Sequence, residues 1–246
     1  MKNIALITAK GGNASIENKN LIVIEGKSFL AWQIEAAKNA HYIDEVFVST
    51  ECSLIKAEAE RYQAIVIDRP AELAQALTNH GDAILHGVQA ARTILNSDIN
   101  TVTILLGNTL MNKAEDIDYA IELLQKNNEA DSCMTVWQAQ DDHPYRAMRI
   151  DDDGYLQSFL EVNSVDTNRQ SYPDIYFYDQ GPWTVRYSSL LKSKRGMTGP
   201  ACWWWMGNKV LPIVRPWVTG KDVHTQLDVE FSKAWVKNNA LSRAVD

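Results

Sequence analysis

The chain has 246 residues, of which 46% are hydrophobic and 22% charged, and its formal net charge is −7. This is the composition of a globular protein long enough to bury a sizeable core, which argues against intrinsic disorder and collagen-like repeats. The acidic balance argues against a general nucleic-acid binder, which needs a basic face for phosphates, but is compatible with a local basic pocket for one anionic ligand. In chain order, residues 3–8 form an apolar run with no polar face, as in a strand covered on both sides. Residues 45–49, 64–68, 101–106 and 132–137 repeat that pattern. Between them the period becomes helical: Leu30, Ile34 and Ala37; then Ile55, Ala59 and Tyr62; then Ile84, Val88, Ala91 and Leu95; then Ile117, Ala120, Ile121 and Leu124. Strand–helix alternation with short connections predicts an α/β fold, with a parallel sheet and helices on both faces. Ligands of such sheets bind beyond the carboxyl ends of the strands, here after Thr8, Ser49 and Leu106.

After Trp137 the pattern changes. Residues 138–182 are polar and aromatic, with turns predicted at Asp151-Asp152-Asp153-Gly154 and Asp179-Gln180-Gly181-Pro182. They read as a meander or arm, and a last helix is expected over residues 228–237. No internal repeat or linker divides the chain, so a single domain over residues 1–246 is expected. Six of the eight tryptophans, among them Trp203-Trp204-Trp205, fall after residue 182. In a strand, Trp203 and Trp205 would share one face. Packing, a subunit interface and a stacking platform for a sugar or base all use such residues, and packing with dimer contact is the favoured reading.

The loop after the first strand reads Thr8-Ala9-Lys10-Gly11-Gly12-Asn13-Ala14-Ser15-Ile16-Glu17-Asn18-Lys19-Asn20-Leu21. It holds neither GxGxxG nor GxxxxGK[ST]. It does hold two glycines whose backbone N–H groups can approach phosphate oxygens, bracketed by Lys10 and Lys19. An ordinary glycine turn with two solvated lysines has the same composition.

This stretch resembles the signature of the acylneuraminate cytidylyltransferases (CMP-sialic acid synthetases), A-R-[GQ]-x-S-K-G-[IL]-x-x-K-N-L. The resemblance continues in order at Val48-Ser49-Thr50-Glu51 (V-S-T-D in the family), Arg69-Pro70-Ala71-Glu72-Leu73-Ala74 (R-P-A-E-L-A), Ala114-Glu115-Asp116-Ile117, His143-Pro144, and Asp222-Val223-His224-Thr225-Gln226-Leu227-Asp228 (D-I-D-T-x-x-D). It implies a Rossmann-like nucleotidyltransferase fold, three-layer α/β/α with a mostly parallel sheet and an inserted dimerisation arm at about residues 138–182. It also implies transfer of a cytidylyl group from CTP to the anomeric hydroxyl of a nonulosonic sugar acid, with release of pyrophosphate. Partners would be CTP, the sugar acid and a second copy of the chain, with no nucleic acid and no membrane. The cofactor would be Mg²⁺, with Mn²⁺ as the alternative.

Carried over residue by residue, the resemblance makes Lys10, Lys19 and Asp222 the catalytic set. Ala9, Lys10, Gly11, Gly12, Asn13, Lys19, Asn20 and Arg69 would bind the nucleotide. Lys10 replaces a family arginine, which keeps the charge but loses the bidentate fork. A salt bridge of Arg69 with Asp68 or Glu72 is the plainer alternative. Asn108, Thr109, Arg146, Arg169 and Gln180 would contact the sugar. Asp222 and His224 would hold the metal. His224 stands where the family has a second aspartate, and an imidazole suits manganese or zinc better than magnesium. A turn leading into a capped helix is the plainer reading of this last segment. Further departures are Gly107-Asn108-Thr109-Leu110-Met111-Asn112-Lys113 in place of Q-P-T-S-P-L-R, and Asn79-His80 in place of a serine pair.

Cys52, Cys133 and Cys202 form no CxxC pair, so three free thiols in a reducing compartment are expected. The N-terminal apolar run is too short for a signal peptide, and no stretch of about 18 apolar residues exists, so a cytoplasmic protein is expected.

Overall fold

The computed structural model describes residues 1–12, 16–161, 165–194 and 203–243. In chain order the elements are β1 (Lys2–Thr8), the short hairpin β2 (Val23–Ile24) and β3 (Lys27–Ser28), α1 (Phe29–Asn39), β4 (Glu45–Thr50), α2 (Ser53–Arg61), β5 (Ile65–Asp68), α3 (His80–Leu95), β6 (Ile99–Leu106), α4 (Ala114–Lys126) and β7 (Ser132–Gln138). There follow the hairpin β8 (Met148–Ile150) and β9 (Leu156–Ser158), then β10 (Tyr176–Arg186), α5 (Tyr187–Lys192), β11 (Val210–Val214) and α6 (Gln226–Arg243).

Seven strands form one sheet in the order β11-β7-β10-β6-β1-β4-β5. All neighbouring pairs are parallel except those of β10, which runs antiparallel between β6 and β7. Because strand side chains alternate between faces, each central strand feeds two cores. Ile4 and Leu6 of β1 meet Ile84 and Val88 of α3 on one face, while Ala5 and Ile7 meet Leu30 and Ile34 of α1 and Ile117 of α4 on the other. The result is the expected three-layer α/β/α arrangement. Two helix starts are fixed by side-chain caps that satisfy an otherwise unpaired amide: Ser28 Oγ accepts from Ala31 N at 3.0 Å, and Asn79 Oδ1 accepts from Gly81 N at 2.9 Å. Such a cap contributes about 1 kcal/mol.

Two expectations need correction. The excursion from the sheet does not run to residue 182, because β10 re-enters the sheet at Tyr176. Asp179-Gln180-Gly181-Pro182 looks like a turn locally. It is instead an irregularity inside β10, where the register to β7 shifts between Tyr178 and Trp183. Nor do the tryptophans form a strand. Trp204–Met206 is a 3-10 turn, and Trp203, Trp204 and Trp205 are all buried in the core on the α3 side. Burial favours the packing reading over an exposed stacking platform. Cys52 and Cys133 are free thiols, whereas Cys202 lies outside the described residues. No helix among the described residues is long and apolar enough to cross a membrane.

Candidate active site

The chain runs from β1 outward through β4 to β5, then returns to place β6 on the other side of β1. That reversal is the topological switch point, where strand connections diverge and leave a crevice at the carboxyl ends. A cleft of about 260 Å³ lies there, and Thr8, Lys10, Lys19, Asn20, Arg69, Asn79, His80, Asn108 and Asp222 are among its lining residues.

The strand ends are tied together first. Ala9 N donates to Ser49 O at 3.2 Å and Gly107 N donates to Thr8 O at 3.0 Å, so the loops after β1, β4 and β6 start from one platform. Gly11 lies so close to the start of α2 that a Cβ there would meet Cys52 Cβ at 2.9 Å, and Gly12 has φ +61°. Both positions therefore require glycine. The amide of Gly11 donates to Glu51 Oε1 at 2.7 Å. Asn20 Nδ2 donates to Lys10 O at 2.9 Å, which folds the far end of the loop back on its start.

Three cations face this cleft. Arg69 follows β5 and is buried; its Nε donates to Ser49 Oγ at 3.1 Å and an Nη to Ser49 O at 2.6 Å. The surface salt bridge considered for it, with Asp68 or Glu72, is not what holds it: Asp68 pairs with Lys56, and the guanidinium is turned inward onto Ser49. Lys19 Nζ donates to Val223 O at 3.1 Å. Burial draws its ammonium below the ordinary lysine range, with Asp222 opposing and Lys10 reinforcing that shift. Partial desolvation strengthens the attraction of such cations for an anion in the cleft.

His80 is the first residue of α3 and closes the floor. Its Nε2 lies 2.9 Å from Thr8 Oγ1, and its ring meets Trp183 and Trp205 edge-on. Burial, and secondarily Arg69, pushes it down to about 4, so it is neutral at pH 7. Trp204 braces the same corner: its Nε1 donates to Asn79 Oδ1 at 3.2 Å, and a Cβ on Gly81 would sit 2.6 Å from its ring. The late tryptophans thus set the shape of the cleft without lining it.

Asp222 faces the cations from the C-terminal part. Its Oδ2 accepts from Asn108 Nδ2 at 3.2 Å and lies 2.8 Å from His224 Nε2. Asp228 does not join them. It accepts from the amides of His224 and Thr225 at 3.1 and 2.8 Å and so caps the turn into α6, in agreement with the plainer reading. Among the described residues no group of three or more His, Cys, Asp or Glu side chains is placed to hold a metal.

The remaining sequence candidates divide clearly. Ala9 is buried with its amide used by Ser49, so it shapes the loop and offers no donor. Thr109 is buried and its hydroxyl donates to Leu106 O at 2.9 Å, which leaves it unavailable to a sugar. Gln180 sits in the irregular part of β10 and does not line the cleft. Arg146 and Arg169 lie on the arm, where both reach Asp141, at 3.4 and 3.0 Å, and neither lines the cleft of its own chain. Asn13 lies outside the described residues. Sequence reasoning omitted Asn79 and His80 from the site, although their departure from the family's serine pair marked the position.

A mostly parallel sheet with a cationic cleft at its switch point is the architecture of Rossmann-like nucleotide-binding proteins. A family model described as cytidylyltransferase matches residues 4–172, and the chain belongs to that family. It is 28% identical over 170 residues to the N-acylneuraminate cytidylyltransferase of Escherichia coli O18:K1:H7 (strain RS218 / NMEC), a match covering 69% of this chain and 39% of that protein. It is 26% identical over 196 residues to the pseudaminic acid cytidylyltransferase and UDP-2,4-diacetamido-2,4,6-trideoxy-beta-L-altropyranose hydrolase of Helicobacter pylori (strain ATCC 700392 / 26695), covering 79% and 36%. The chain therefore spans well under half the length of these two relatives. The solved structure of CMP:2-keto-3-deoxy-manno-octonic acid synthetase complexed with CTP shares the fold, with a TM-score of 0.66 over 97% of this chain and all of that one at 14% identity.

Proposed function

We propose that this chain transfers a cytidylyl group from CTP to a hydroxyl of a nonulosonic or related sugar acid and releases pyrophosphate. One observation carries the reading. Lys10 and Lys19 from the loop after β1 and Arg69 from beyond β5 converge with Asp222 on a single cleft of a net acidic protein. A triphosphate needs that concentration of positive charge to enter, and in-line attack at its α-phosphate needs the reactants held in one orientation. Lys10 and Lys19 offset the charge that develops on departing pyrophosphate, and Arg69 and His80 line the same cleft; the Gly11 amide is taken by Glu51, so the glycines shape the loop and do not line the cleft.

A divalent ion fits the donor set only as a companion of the nucleotide. The chain offers Asp222 and His224 where a dedicated cage would need more ligands, and magnesium is commonly held by one or two carboxylates plus substrate phosphates. Such an ion would supply Lewis-acid stabilisation of phosphoryl charge. Asp222 would hold it, with His224 shifting the preference toward manganese.

The arm supports a homodimer. Met148, Ile150, Tyr155, Leu156 and Phe159 are exposed on and around the β8–β9 hairpin, more apolar surface than a small hairpin leaves in water without a partner. Arg146 and Arg169 would then meet the sugar acid in the partner's cleft and not in their own.

The test is incubation with CTP, Mg²⁺ or Mn²⁺ and a panel of nonulosonic and octulosonic acids, with pyrophosphate release as the readout. Release with one acid identifies the substrate. CTP binding with no release from any acid would sink the transferase reading and leave a nucleotide-binding homologue. Stabilisation by another nucleoside triphosphate but not by CTP would overturn the choice of base. Light scattering on the same preparation decides the dimer.

A further inference from the structure

Asp222 is carried by a stretch with little regular structure of its own. It makes one isolated bridge, to Thr109, and Val223 N donates to Asn108 O at 3.1 Å. Its placement therefore depends on whatever fixes the loop after β6 and the approach from β11. Lys19 also holds Val223 O, but one side chain reaches both the loop and the approach. Arg215 lies just beyond β11 with 5% of its side chain exposed. On the approach, its Nη2 donates to Thr219 O at 3.4 Å, and the same nitrogen donates to Gly181 O in β10. Toward the loop, its Nη1 donates to Asn112 Oδ1 at 3.3 Å. Asn112 Nδ2 in turn donates to Gln33 Oε1 at 3.0 Å and Thr109 Oγ1 at 3.3 Å, and Gln33 Nε2 donates to Thr109 O at 2.8 Å.

The guanidinium is itself held from behind. Its Nε and Nη2 donate to Asp179 Oδ2 at 3.0 and 2.9 Å, and its Nη1 to Asp116 Oδ2 at 3.0 Å. Asp179 is fully buried, accepts from Thr135 and from Gly181 N, and lies against Gly220, where a Cβ would be 1.9 Å from its own. Buried ion pairs contribute little to stability over an apolar filling, because desolvation offsets their attraction. What a rigid, planar fork of donors supplies is direction. Here that direction joins the two pieces of backbone that meet at Asp222.

We propose that Arg215, locked by Asp179 and Asp116, is a positioning residue that sets the place of the Asp222 carboxylate in the cleft. Its kinetic consequence rests on the proposed transferase reaction; its structural consequence does not. In Arg215→Lys, which keeps the charge and loses the fork, hydrogen exchange should speed up at Val223 and across residues 217–225 while residues 4–8 stay protected. A group displaced by about 1 Å can cost about 100-fold in rate, so kcat should fall by about 10- to 100-fold. The concentration of Mn²⁺ needed for half activation should rise, and the KM for CTP should move far less.

The two roles separate in an Asp222→Asn background. There Arg215→Lys should cost almost nothing further, because its effect acts through the carboxylate already removed; a purely structural residue would cost the same in both backgrounds. Should Arg215→Lys fail to fold, Asn112→Ala cuts the link to the loop while keeping the ion pairs, and the same exchange and Mn²⁺ measurements apply. Unchanged exchange at Val223 in a folded variant overturns the proposal. Equal kcat losses in both backgrounds overturn it too. If the wild type releases no pyrophosphate with any acceptor, the transferase reading fails, and the exchange measurement still decides the positioning role.

Discussion

Arg69 and Asp222 face the same cleft, but they are held there by different kinds of structure. Arg69 sits one residue beyond a strand, and its guanidinium rests on Ser49 of the adjacent parallel strand. Asp222 hangs on an irregular segment tied to Asn108, 114 residues away, and steadied by the buried hub at Arg215. A strand end inherits its position from the hydrogen-bonded sheet. A segment without a ladder must be located by side chains, and only a buried, directional network does that well. The cationic side of the cleft should accordingly tolerate local change, and the acidic side should respond to residues far from it.

The largest effect is expected at neither cation nor carboxylate but at the wedge beneath them. Trp204→Ala removes a buried indole packed on Gly81 and should cost about 3–5 kcal/mol of unfolding free energy in a denaturant titration. A loss under 1 kcal/mol would mean that the tryptophans do not support this corner.

Acid should loosen the same corner. His80 titrates near 4 when folded and near its ordinary 6.5 when unfolded, so the unfolded chain binds the proton more readily. Its contribution to stability is whole above pH 6.5 and is lost as pH falls toward about 4, amounting to about 3 kcal/mol. The stability difference between pH 7.5 and 4.5 should shrink by most of that amount in His80→Gln; an undiminished difference assigns the acid sensitivity to other groups.

Next comes Asp222→Asn, which preserves shape and removes the charge. Turnover should fall by about 100-fold, the scale for deleting one preorganised electrostatic contact, with little change in melting temperature. A variant as active as the wild type would exclude Asp222 from the chemistry. His224→Asp should give the smallest effect: a modest rise in Mg²⁺-supported rate if the position lies at the ion, and a fall if imidazole is a working ligand for a softer metal. No change in either direction separates residue 224 from the ion.

Much of this molecule was legible before folding was considered. The strands at residues 3–8, 45–49, 64–68, 101–106 and 132–137 emerged within two residues, and the four apolar helical patterns fall on α1 to α4, whose starts lie up to four residues earlier, because hydrophobic period is a local property. Lys10, Lys19, Asn20, Arg69, Asn108 and Asp222 were named from motifs and share one cleft. Thr109 and Ala9 were named as well, yet their polar groups are used within the fold. Motif matching records which residue stands at a position and not which way its side chain or amide points.

Alternation of period and an ordered set of short motifs determined the layered α/β plan, the family and the cations of the cleft, since each depends on neighbours within one turn or one strand. The tertiary structure decided what depends on elements far apart in the chain. It inserted β10 antiparallel into the sheet although Gly181-Pro182 locally resembles a turn. It buried three consecutive tryptophans behind His80, and it brought Arg215, Asp179 and the Asn112–Asp116 stretch together from three segments. Buried polar groups must find partners wherever topology places them, and no local pattern of residues records which partners those will be.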